Sequence, residues 1–131
     1  MGDKSTVLKT FNIQFFSFID DVIKVFPDRD ELIVGKRSFE TIKRANPTII
    51  IKIWFSHVYN NYRESIDNGD VEYFIQKDYQ QDLKSLANNG EVLKIINTLR
   101  QPISEMDEVN KKHTVKYLQV LSKLSEMYSK L

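Results

Sequence analysis

The chain has 131 residues, near the commonest size for one domain, and its 19 Lys and Arg against 18 Asp and Glu leave a formal net charge of +1. That balance creates no global field that would select an anionic partner. The absence of cysteine excludes disulfides, thiolate nucleophiles, iron–sulfur clusters and cysteine zinc sites. With 41% apolar residues, among them one Trp, six Tyr and eight Phe, the chain has enough material for a core.

No secretory-type run opens the sequence and no apolar stretch is long enough for a membrane span, so a cytoplasmic location is expected. Met1-Gly2 with Thr6 matches the myristoylation pattern in form, but Asp3 directly after the glycine argues against it.

Apolar residues at Leu8, Phe11, Phe15, Phe18, Ile19, Val22, Ile23 and Phe26 keep three-and-four spacing and predict a first amphipathic helix from Ser5 to Phe26. Pro27 ends it. Asp28 with Glu31 reads as a capping box for a second helix to about Ala45, burying Leu32, Phe39 and Ile42. Asn46-Pro47 then punctuates the chain and opens a third helix to about Ile66. Its apolar positions, from Ile49 through Trp54, Val58 and Tyr62, cover more than one face, as a central helix with several neighbours requires. The isoleucine run alone could form a buried strand, but the four-residue period of Trp54, Val58, Tyr62 and Ile66 favours a helix.

Asn68-Gly69 breaks the chain. Short helices are expected from Asp70, from Asp78 to Leu86, and from Glu91 to Leu99, the last stopped by Pro102. Ser104 with Asp107 resembles a capping box for a final helix towards Leu131. In it His113, Tyr117, Val120, Leu124, Met127 and Leu131 alternate spacings of four and three, the seam of a coiled coil or bundle. Leu118, Leu121 and Tyr128 widen that seam, so packing within its own domain is the favoured use, with oligomerisation second. The whole predicts an all-α, single helical domain over 1–131, a compact bundle of about five to seven helices with a central aromatic-rich helix and a long C-terminal one.

Chemistry-bearing constellations are sparse. His57 and His113 lie far apart without a second ligand at metal spacing, and the neighbouring Asp20 and Asp21 point to different helix faces. The glycines form no phosphate-cradling loop. No catalytic residue, metal or cofactor is therefore expected, and the protein reads as a non-enzyme.

Two candidate surfaces remain. Tyr59, Tyr62, Tyr73, Phe74 and Tyr79 gather aromatics with polar tips around the turn after the central helix, a composition enriched in protein interfaces and equally suited to packing helix ends. Lys36, Arg37, Lys43, Arg44 and Lys52 form a local basic patch opposed by Glu40, which could contact phosphates or be a solvated helix face. A protein partner or homo-oligomer is the leading expectation, with nucleic acid the alternative.

The runs FFSFIDDVIKVFPDRDEL, FETIKRANPTIIIKIW, IDNGDVEYFIQKDYQQDL and YLQVLSKLSEMY resemble short all-helical proteins of nucleocytoplasmic large DNA viruses of algae and protists. The 14 Ile, 14 Lys and 9 Asn agree with the AT-rich coding of such genomes. The resemblance implies a viral minor structural or packaging component or an adaptor, placed in the virion or host cytoplasm, and carries no functional residue over.

Overall fold

The computed structural model describes residues 3–69 and 100–131. Its elements are α1 (Lys4–Val25), α2 (Asp30–Ala45), α3 (Ile49–Ile53), a π-helical segment (Trp54–Tyr59), α4 (Asn60–Asp67), α5 (Arg100–Ser104) and α6 (Glu108–Lys130). The fold is all-α, with no strand among the described residues. The segment from α3 to α4 is one continuous rod, so five helical rods are described; the short helices expected between Asp70 and Leu99 lie outside the described residues.

Each helix start shows how local chemistry sets a boundary. Asp3 caps α1, its Oδ1 accepting from the Thr6 N–H at 2.7 Å. That backbone hydrogen bond holds the Asp3 carboxyl below its ordinary pKa. The expected box of Asp28 and Glu31 does not form. Helix α2 begins at Asp30, and the residue before it, Arg29, makes no side-chain cap. Arg29 instead pairs with Glu105, lies 3.7 Å from Glu31 and rests its guanidinium 5.0 Å from the Phe26 ring centre. Asp30 and Glu31 then supply negative charge to the first turn, where the helix dipole favours it.

Asn46 does punctuate the next corner: its Oδ1 accepts from the Thr48 N–H at 3.1 Å and from the Thr48 hydroxyl at 2.8 Å. Gly69, with φ of 76°, ends the rod in the left-handed conformation, its N–H donating to the Ile66 carbonyl at 3.0 Å. The Gln119 amide donates to the same carbonyl at 3.0 Å and fastens the rod's end to α6.

Pro102 was expected to stop a helix, yet it sits inside helical backbone in α5. The predicted Ser104 cap also moves: α6 starts after Asp107, whose Oδ1 accepts from the Asn110 N–H at 2.8 Å. Asp107→Ala should therefore lower stability by about 1 kcal/mol, read as a shift of the urea midpoint at unchanged slope.

The core lies where α1, the rod and α6 meet, with α6 packed extensively against both of the others and α2 closing one side through Leu32 and Phe39. Phe11, Phe15, Phe39 and Trp54 form its centre. Phe15 meets Phe39 edge-on with ring centres 4.7 Å apart, and Phe11 and Phe15 meet Trp54 edge-on at 6.2 and 6.1 Å. Edge-to-face geometry suits the ring quadrupoles and adds to their burial.

The π-helical segment follows from the sequence pattern. Residues four apart advance about 400° on an α-helix, so a strict four-residue period drifts about 40° per repeat. Wider turns absorb that drift, and Trp54 and Val58 are both fully buried, with Tyr59 beside them. Trp54 Nε1 donates to the Ser122 hydroxyl of α6 at 3.0 Å, and the Tyr59 hydroxyl donates to Glu126 Oε2 at 2.7 Å. Both bonds join the π segment to α6.

Candidate functional site

Helix α6 carries two apolar stripes, and the structure uses them differently. Thr114, Leu118, Leu121, Ser122, Ser125 and Tyr128 are buried against α1 and the rod. The seam singled out by its alternating spacing is not the inward one. Within it His113 is exposed, Val120 is 43%, Met127 41% and Leu131 55% exposed, and only Tyr117 and Leu124 are half-buried. At about 100° per residue, the seam is rotated by about 110° from the buried stripe. The helix does pack within its own domain, but through the stripe that seemed only to widen the seam.

Small residues explain the choice. Ser122 and Ser125 are fully buried, and Ser122 receives the Trp54 indole; a larger residue there would hold the rod away. The half-buried Tyr117 anchors the seam's edge, its ring 5.4 Å from Phe18 and its hydroxyl donating to Asp21 Oδ2 at 2.7 Å.

Four of the six exposed large hydrophobic residues among those described, Val109, Val120, Met127 and Leu131, lie on this one helix or at its C-cap. Beside them run Lys112, Lys116, Lys123 and Lys130, all exposed. In heptad terms, His113, Val120 and Met127 are d positions, Tyr117, Leu124 and Leu131 are a positions, and Lys116, Lys123 and Lys130 occupy successive g positions. Those lysines are functional candidates that the sequence reading missed. Their seven-residue spacing beside the seam was the available signal.

The basic patch is split by the fold. Lys36, Lys43 and Arg44 line a groove of about 450 Å³ between α1 and α2, together with Asn12, Ile13, Phe16, Asp20 and Glu40. Lys36 is 2.7 Å from Asp20, which raises the lysine's pKa through that hydrogen bond. The Lys43 ammonium sits 5.3 Å from the Phe16 ring centre. Arg37 and Lys52 are exposed but do not line the groove. Two of the five cations are thus engaged inside the molecule, and Asp20 and Glu40 dilute the field of the rest. Asn12, at the groove's floor, donates to the Pro47 carbonyl at 3.1 Å while its buried Oδ1 accepts no hydrogen bond.

The aromatic candidates fare differently. Tyr59 is only 6% exposed and bonded to Glu126, so it fastens α6 to the rod and offers no interface. Tyr62 lies in α4, its side chain outside the described set, and Tyr73, Phe74 and Tyr79 fall outside the described residues. Of the paired carboxylates, Asp20 turns to Lys36 of α2 and Asp21 to Tyr117 of α6, so they do not converge. His113, with Asp21 and Tyr117, borders a shallow hollow of about 230 Å³ between α1 and α6. Among the described residues no group of three or more His, Asp or Glu could hold a metal ion, and no helix is long and apolar enough to cross a membrane.

No protein family, no curated protein and no solved structure matches the chain.

Proposed function

We propose that the protein is a non-enzymatic interaction domain whose docking surface is the outward face of α6. The observation that carries this reading is the exposed seam: an apolar heptad stripe displayed on a helix that is already anchored in the core along a different stripe. Among the described residues the buried face accounts for the packing of α6, and the exposed positions of the second face are surplus to it. Exposed apolar groups aligned on one element mark a contact surface more than scattered ones do. The resemblance to viral helical proteins supports a setting in a virion or infected cytoplasm, as a minor structural component or adaptor.

A photo-crosslinking residue at Val120 tests the reading in the protein's own cellular extract, with the same residue at the exposed Val34 of α2 as control. Protein adducts from position 120 alone are expected. Equal adducts from both positions, or none, overturn it. Light scattering with and without a mixed-sequence DNA duplex checks the alternative use of Lys36, Arg37, Lys43, Arg44 and Lys52. Duplex mass gained only at low salt would favour nucleic acid; indifference to the duplex is expected, since two of those cations are already engaged.

A further inference from the structure

We infer that the partner of the α6 seam is an acidic amphipathic helix, packed in coiled-coil fashion, and not a second copy of this chain. This rests on the interaction reading above and adds the chemistry of the occupant.

Alternating spacings of four and three along His113, Tyr117, Val120, Leu124, Met127 and Leu131 keep the heptad period of a coiled-coil strand, with the d positions exposed and Tyr117 and Leu124 half-buried against the core. A flat or irregular ligand has no use for that period. From His113 to Leu131 the seam runs about 27 Å at 1.5 Å per residue, between two and three heptads of a partner helix. Heptads are flanked by e and g positions, whose charges choose the partner. On α6 the g positions are Lys116, Lys123 and Lys130, all exposed. The e positions are Thr114, Leu121 and Tyr128, all buried in the domain. From Lys116 onward one edge of the seam carries lysine at each g position, the last of them paired with Glu126, and the other edge is closed by the protein itself.

The same geometry rejects a second copy. An antiparallel pair of α6 helices brings g against g, setting lysine against lysine. A parallel pair needs g to meet e, and the e side chains are occupied in the core. Among the described residues the one carboxylate bonded to this edge is Glu126, 3.0 Å from Lys130, and Glu126 also accepts from Tyr59. Lys116 and Lys123 are exposed and form no salt bridge among the described residues, which leaves both to face an external partner. Exposed apolar d residues favour a helix over a phosphate backbone, since nucleic acid would leave Val120 and Met127 unused.

The test uses the full chain and a synthetic three-heptad peptide with Leu at a and d and Glu at e and g. A second peptide has Lys in place of every Glu. The acidic peptide should bind and weaken with added salt, whereas the basic one should bind at least tenfold more weakly. The triple variant Lys116→Glu, Lys123→Glu, Lys130→Glu should reverse that preference. Val120→Asp with Met127→Asp should abolish binding of the acidic peptide; both residues are exposed, so an unchanged thermal melt shows that the fold persists.

Equal affinity for the two peptides, or indifference to the charge reversal, would overturn the inference. So would dimerisation of the free chain that Val120→Asp removes, or binding to vesicles containing anionic lipid in preference to the peptide. Crosslinks from position 120 without acidic-peptide binding would sink this inference and leave the interaction reading standing. Absence of both would sink the two together.

Discussion

Trp54→Ala is expected to destabilise the protein by about 3–5 kcal/mol, the usual cost of truncating a large buried aromatic. That is a large part of the roughly 5–15 kcal/mol that holds a domain folded. Trp54 is fully buried, meets Phe11 and Phe15 edge-on, and donates its indole N–H to Ser122. Removing it costs ring burial, aromatic contacts and a cross-helix hydrogen bond at once. Circular dichroism in urea is the readout, because Trp54 is the only tryptophan and the variant has no tryptophan emission to follow. Ser122→Ala separates the terms. It leaves the volume nearly intact but strands a buried N–H, at about 1–3 kcal/mol. In Trp54→Phe with Ser122→Ala neither partner is left stranded, so the double variant should cost less than the sum of its singles. Strict additivity would mean that the indole bond contributes nothing and that ring packing alone holds the junction.

The same junction shows what the sequence could and could not reveal. Periodicity placed α1, the rod and α6 on their residues because three-and-four spacing over several turns leaves little choice of secondary structure. Asn46 and Gly69 marked corners because each has a local mechanism that needs no tertiary partner: an amide oxygen accepting from a residue two positions on, and a backbone free to take positive φ. The capping boxes at Asp28 and Ser104 misled for the complementary reason. Asp and Ser suit several turn positions, and the helix start was decided by long-range pairing, as when Arg29 reaches Glu105 across the fold.

Sidedness was the harder question. A helical period gives angles between residues but not the direction of the core, and α6 offered two stripes of comparable apolarity. Leu118, Leu121 and Tyr128 went inward because Ser122 and Ser125 between them allow the rod to come close. The sequence reading weighed hydrophobicity and passed over smallness. Likewise the basic patch was counted by spacing on α2 alone, while Asp20 and Phe16, which engage Lys36 and Lys43, come from α1. Tyr59 was grouped with interface aromatics by composition, although its hydroxyl had a carboxylate waiting in α6.

Alkaline pH should expose the two tyrosines that join α6 to the rest of the molecule. The Tyr59 pKa is raised to about 12, first by its hydrogen bond to Glu126 and then by burial and the nearby Asp67 carboxylate. Tyr117 also reaches about 12, first by burial and then by its hydrogen bond to Asp21. In the unfolded chain both titrate near 10. A folded pKa above the unfolded one means that the stabilisation is complete below pH 10 and is lost as pH rises from about 10 towards about 12. Two pKa units correspond to on the order of 3 kcal/mol for each tyrosine. Tyr59→Phe with Tyr117→Phe should be less stable than the parent at pH 8, where both hydrogen bonds are intact in the parent, and the difference should shrink as pH passes 10. Lysines such as Lys36 also lose charge in this range, so the parent-minus-variant difference, and not the parent's own curve, is the quantity to follow. Parallel stability curves for parent and double variant from pH 8 to 12 would show that neither phenol–carboxylate bond holds α6 in place. Converging curves would show that the two phenols help to hold α6 in place, beside the Trp54–Ser122 and Gln119–Ile66 bonds.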